Sequence, residues 1–180
     1  MKKTLLLILT LFVGLVAITG CRMNPTSGLK NPKDITLSGK HGKTIISYSD
    51  DGTYDFDKET KVLRNEKAGF RMTFYYSTNT SKQQEQVHKA MKNTKNYTVI
   101  DNVEYNGYKG YASIDEKYGT AQVFLYVDKK KDVIYIVQIS PLHSLETQKK
   151  IKSGTSPKKV LYGLDKVQQS LKTVRYKDKK

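Results

Sequence analysis

Along the chain, apolar and polar positions change pattern several times, and each pattern predicts a different structure. From Thr4 to Gly20 the residues are uncharged and mostly apolar, in one run behind Lys2 and Lys3. Residues 22 to 43, RMNPTSGLKNPKDITLSGKHGK, have no apolar period and contain Pro25, Pro32, Gly28, Gly39 and Gly42. From residue 44, alternating or apolar runs bounded by turn residues predict strands over Thr44–Ser49, Lys61–Asn65, Phe70–Tyr76, Thr98–Tyr105, Gly110–Asp115, Ala121–Val127 and Val133–Ser140. Asn106-Gly107 and the stretch Asp128 to Asp132 read as turns between them, giving an antiparallel meander. Two segments carry the helical period instead. In Ser81–Asn93, Val87, Ala90 and Met91 share a face. In Pro157–Val174, the positions Val160, Leu161, Leu164, Val167, Leu171 and Val174 form a stripe behind Ser156 as N-cap. A further turn of helix is expected around Ser144–Lys152.

The first pattern is that of an export signal: a cationic start, then an apolar run shorter than the roughly 20 residues of a spanning helix. Its end, Ile18-Thr19-Gly20-Cys21, resembles the lipobox of bacterial lipoproteins. That resemblance implies a diacylglycerol on the Cys21 thiol, cleavage just before it, and anchoring by acyl chains such as palmitate at the extracytoplasmic face of the cell membrane. The chain's single cysteine sits where this chemistry requires one. Two acyl chains meet the two-signal requirement for stable attachment, with about 0.8 kcal/mol per buried methylene. The expected organisation is a signal peptide over 1–20, a flexible tether over 21–43 and a single domain over 44–180. About 20 tether residues would reach on the order of 25 Å as a coil. The absence of further cysteines favours a Gram-positive cell.

Strands, a helix, a strand meander and a terminal helix predict an α+β fold, a mostly antiparallel sheet covered by helices with a long one at the C-terminus. The stretch Ala68-Gly69-Phe70-Arg71-Met72-Thr73-Phe74, the helix after it, Val103 to Tyr111, the two long strands and Val167 to Val174 together resemble the Mog1/PsbP-like fold over roughly residues 60 to 175. The resemblance implies a non-catalytic binding or assembly module.

Composition adds two constraints. A single cysteine excludes any disulfide within the monomer, and 27% charged residues exclude a multi-pass membrane protein. The 32 basic against 17 acidic residues give a net charge of +15. Loss of Lys2 and Lys3 with the signal leaves 30 against 17, or +13. Lys149, Lys150, Lys152, Lys158 and Lys159 bracket a loop with no acid among them, and the tail from Arg175 to Lys180 sets four positive charges against Asp178. Such a surface attracts polyanions, here lipid headgroups, anionic wall polymers or extracellular DNA, with an envelope protein as a further candidate partner, or else it is only solubilising.

Groups arranged for catalysis are missing from the sequence. His41, His88 and His143 have no second ligand at metal spacing and read as solvated, no serine stands in a Gly-x-Ser-x-Gly elbow, and no phosphate-loop or dinucleotide pattern occurs. Asp55, Asp57, Glu59, Val62 and Glu66 reproduce the spacing of a calcium loop, but Thr60 stands where the turn wants Gly, so an acidic hairpin is the expectation. Neither a metal nor a cofactor is expected. Tyr105, Tyr108, Tyr111 and Tyr118 with Lys109 and Lys117 could form a base-stacking platform, yet alternating tyrosines in strands are first of all packing residues, which argues against nucleic acid. Asp115 and Glu116 would have to serve an envelope enzyme, and neighbours on a strand point to opposite faces. The expected function is therefore a membrane-anchored, non-catalytic binding or accessory lipoprotein. A mobile-element or host-defence role, in phage exclusion or conjugation, would carry the same sequence features. Val13 to Gly20, VGLVAITG, has in addition the character of a released hydrophobic pheromone.

Overall fold

The computed structural model describes residues 28–115, 117–142 and 168–179, together with Thr26. Two sheets are built from β1 (Pro32–Ser38), β2 (Gly42–Ser49), β3 (Asp55–Asp57), β4 (Val62–Asn65), β5 (Phe70–Tyr76), β6 (Tyr97–Tyr105), β7 (Tyr108–Asp115), β8 (Thr120–Asp128), β9 (Val133–Pro141) and β10 (Arg175–Asp178). The larger sheet runs β3-β4-β5-β9-β8-β7-β6 and the smaller β1-β2-β10, with every neighbouring pair antiparallel. Helix α1 (Ser81–Lys92) lies between β5 and β6 in the chain.

The core follows from strand alternation. On one face of the large sheet Leu63, Met72, Phe74, Val123, Leu125, Val137 and Ile139 are buried, and Ile35, Ile46 and Tyr48 of the small sheet pack against them. Leu171 and Val174 seal the same core. On the opposite face Tyr111, Phe124, Ile134 and Ile136 form a smaller cluster, with Met91 of α1 and Tyr126 at its margin. Gly110 lets β7 and β8 approach there, since a side chain would begin 1.7 Å from the Phe124 carbonyl oxygen. The β6–β7 turn has Asn106 and Gly107 both at positive φ, 50° and 83°, as a two-residue hairpin demands.

Helix α1 begins where its signals place it. Thr80 caps it with a reciprocal Gln83 bond, a capping box, and the Asp132 carboxylate of the β8–β9 turn accepts from the Ser81 N–H at 2.9 Å. Its one buried residue is polar: the Gln84 amide donates to the Tyr111 hydroxyl at 2.6 Å and accepts from Ser77 Oγ and Asn79 Nδ2.

The expectation of an α+β fold with a long C-terminal helix, and with it a Mog1/PsbP-like arrangement, is overturned. Strand accounts for 54% and helix for 13% of the described residues. Of the stripe predicted to be helical, residues 168–171 are helix, Lys172 and Thr173 form a turn, and the chain then enters β10. Thr173 ends the helix physically. Its hydroxyl donates to the Ser170 carbonyl at 2.6 Å and accepts from the Ser47 N–H at 2.7 Å, drawing the chain onto the free edge of β2. The earlier part of that stripe, and the turn around Ser144–Lys152, lie outside the described residues. A second correction concerns the tether. Residues 32–38, assigned to it, form β1, paired with β2 from Pro32↔Ser49 to Ser38↔Lys43. Ile35 is 1% exposed and anchors the strand in the core.

Candidate functional site

Two clefts flank the β8–β9 turn. The larger, about 520 Å³, lies between α1 and the β6–β7–β8 edge of the large sheet. Its floor is aromatic: Tyr111 stacks on Phe124 with centroids 4.5 Å apart, and His88 of α1 stacks on Tyr111 at 4.0 Å. Tyr126 lines it as well, with Lys129 Nζ 5.4 Å from its ring centroid. Glu85, Lys92, Asp101 and Lys109 complete the charged wall.

A strand irregularity builds this wall. The β6–β7 register shifts between Ile100 and Val103, with Asn102 at φ 57°, and such a bulge re-aims its side chains. Asp101 is thereby turned toward α1, where its carboxylate meets His88 Nε2 at 2.7 Å and Lys92 Nζ at 2.6 Å. Those two contacts, Lys92 foremost, hold the Asp101 carboxyl below the usual carboxylate range. Burial pushes the Tyr111 phenol up to about 12, against the opposing effect of the Gln84 amide. The Tyr126 hydroxyl is raised too, by burial and by Glu85.

Ser81, His88 and Asp101 all line the cleft, the residue types of a hydrolytic triad. Ser81 and His88 stand seven residues apart on one helix, about 10 Å along its axis, too far for a hydrogen bond. The His88 Nε2 is already held by Asp101, and the tyrosines stay protonated at neutral pH. What the cleft offers is a ring-lined floor with ammonium groups at its rim. Among the described residues Lys129 has no carboxylate partner, and Lys109 lies 3.9 Å from Glu104 with both side chains exposed.

The smaller cleft, about 300 Å³, is walled by the β1–β2 turn with Lys40 and His41, by the β5–α1 connection, and by Lys131 to Ile134. Lys131 Nζ reaches Asp178 Oδ1 at 2.6 Å, and the Tyr76 hydroxyl beneath donates to the Leu37 carbonyl at 3.0 Å.

The sequence-predicted site residues fall as follows. Cys21, Lys149, Lys150, Lys152, Lys158, Lys159 and His143 lie outside the described residues, as does Glu116. His88 is not solvated in the sense expected, being stacked on Tyr111 and hydrogen-bonded to Asp101, and His41 lines the smaller cleft. The calcium spacing closes on itself: Arg64 lies 3.7 Å from Asp55 and 3.8 Å from Asp57, and Asp57 accepts from the Glu59 and Thr60 amides. Among the described residues no group of three or more acidic, His or Cys side chains could hold a metal ion. Asp115 caps its own turn by accepting from the Lys117 and Tyr118 N–H groups. The four tyrosines do not share a platform. Tyr105 and Tyr108 pack at the margin of the main core, Tyr111 lies in the second cluster, and Tyr118 is exposed under Lys117. The pairing of His88, Lys92 and Asp101 carried no sequence signal beyond the helical face, because the bulge that supplies Asp101 is not visible in the residue pattern. No family model, curated protein or solved structure matches the chain.

Proposed function

We propose that the chain is an exported lipoprotein, held at the outer face of the cell membrane by a diacylglycerol on Cys21, whose domain is a non-catalytic binding module for an anionic ligand. The anchor rests on the lipobox-like Ile18-Thr19-Gly20-Cys21 behind the apolar run. The observation that carries the binding reading is the α1 cleft: about 520 Å³, floored by Tyr111 and Tyr126, with Lys109 and Lys129 at its rim. A ligand with an anionic group and a flat or apolar portion would meet an ammonium and the rings of His88 and Tyr126 at once, with Tyr111 sealed beneath His88. Of the two carboxylates in the wall, Asp101 is already matched by Lys92, which leaves Glu85 as one acid against Lys109 and Lys129.

Both parts have a direct test. In cells, Cys21→Ala is expected to move the protein from the membrane fraction to the medium or to leave the uncleaved precursor, with loss of incorporated palmitate; unchanged labelling removes the anchor. In calorimetry with glycerol 3-phosphate, the paired substitution Lys109→Gln and Lys129→Gln is expected to weaken binding about tenfold, and binding should fall with salt. Equal affinity for both proteins would remove the cleft.

A further inference from the structure

The register of β1 fixes which end of the domain faces its attachment. β1 starts at Pro32 opposite Ser49 and ends at Ser38 opposite Lys43, so its seven residues cross about 23 Å of the domain. At the entry end the Asp50 N–H donates to the Lys30 and Asn31 carbonyls, and Tyr54 links Tyr48 to Phe70, the strand partner of Pro141. At the opposite end the β1–β2 turn, the β8–β9 turn and the end of β10 converge. The Lys179 N–H donates to the His41 carbonyl at 2.9 Å, Lys131 holds Asp178, and both turns wall the smaller cleft.

The two ends differ in charge. The entry end carries Asp50, Asp51 and Glu66 together with Lys30, Lys33 and Lys67, and Asp50 is paired with Lys33. The far end carries Lys40 on one turn and Lys129, Lys130 and Lys131 in succession on the other. Its acids are engaged: Asp128 accepts from the Lys130 and Lys131 N–H groups, Asp132 from Ser81 N–H, and Asp178 from Lys131. Lys129 lines the α1 cleft and Lys131 the smaller one, and Lys130 stands between them on the same turn. Among the described residues neither Lys130 nor Lys40 has a carboxylate partner.

We propose that this end docks a linear polyanion of repeating phosphate units, which lies across the β8–β9 turn from one cleft to the other. This rests on the binding reading above and names its ligand class. A lone small anion would be satisfied by one cleft, whereas cations repeated along a ridge between two clefts match charges repeated along a polymer. The bilayer is the poorer fit among anionic partners, since the chain enters β1 at the opposite end and so leaves Lys40, Lys130 and Lys131 on the side away from the attachment.

The test uses the mature chain, residues 21–180 with Cys21→Ser, and three probes: tripolyphosphate, long-chain polyphosphate and phosphatidylglycerol vesicles. Long-chain polyphosphate is expected to bind about tenfold or more tightly than tripolyphosphate and than the vesicles, with the advantage lost at high salt. Lys40→Gln with Lys130→Gln should bring the long chain down toward the short one, weakening it several-fold more than it weakens tripolyphosphate, and the Arg pair at these positions should retain the advantage. Equal affinity for short and long chains, or an advantage that survives the Gln pair, overturns the ridge and leaves the cleft reading standing. No binding of any probe at low salt overturns both. Tighter binding to vesicles overturns the proposal by placing the lysine end on the bilayer.

Discussion

At the residue scale the domain depends on a buried polar contact that an apolar core would not need. Gln84, 1% exposed, uses its amide to join α1 to Tyr111 and to the β5–α1 connection. Tyr111→Phe leaves the Gln84 donor without that partner, an expected loss of about 1–3 kcal/mol in denaturant unfolding. The same substitution has a pH signature. A phenol whose folded value is raised from 10.0 to about 12 binds its proton more tightly when folded. Its contribution is complete below pH 10 and is lost as the pH climbs toward about 12. Phe has no proton to release, so the stability of the variant should fall less steeply across that window. An unchanged slope would mean that Tyr111 is not shielded from water. None of this was legible in the sequence, where Gln84 sits on the polar side of a modest amphipathic pattern and Tyr111 reads as one of several alternating tyrosines.

At the scale of elements, β2 and the strands from β4 to β9 were legible, and so was α1. Each central strand is buried on at least one face, so its apolar alternation survives in the residues, and the caps of α1 are local chemistry. β1, β3 and β10 were not. β1 buries Ile35 alone while Pro32, Lys33 and Asp34 stay exposed, so an edge strand looks like a linker. β10 reads as a basic tail because its residues are half-buried or exposed. The stripe ending in Leu171 and Val174 is equally compatible with a helix and with a short turn feeding a strand, because both residues are buried either way. What decides is a long-range partner: the Ser47 N–H needs an acceptor, and Thr173 supplies it. Thr173→Val removes that acceptor at constant shape. The expected result is a loss of about 1–3 kcal/mol and faster hydrogen exchange at the Ser47 amide. Exchange at Ser47 that is unaltered would detach β10 from this account.

At the scale of the whole molecule, the sequence yielded the sign of the charge and one candidate place for it. The excess of 32 basic over 17 acidic residues drew attention to Lys149, Lys150, Lys152, Lys158 and Lys159, which cluster in the chain and lie outside the described residues. The structure brings together a different set, Lys92, Lys109 and Lys129, from a helix, a strand and a turn that are distant in sequence. The bulge in β6 then matches one of them with Asp101 and leaves the others at the rim. The most direct test of the central claim, that the α1 cleft is where the domain binds anions, is a two-dimensional NMR titration of residues 21–180, with Cys21→Ser, against glycerol 3-phosphate. The account predicts that the largest shifts fall on the ring signals of His88, Tyr111 and Tyr126 and on the amides around Gly110 and Lys129, and that they shrink with added salt. Shifts scattered over the surface lysines, with those rings unmoved, would contradict it.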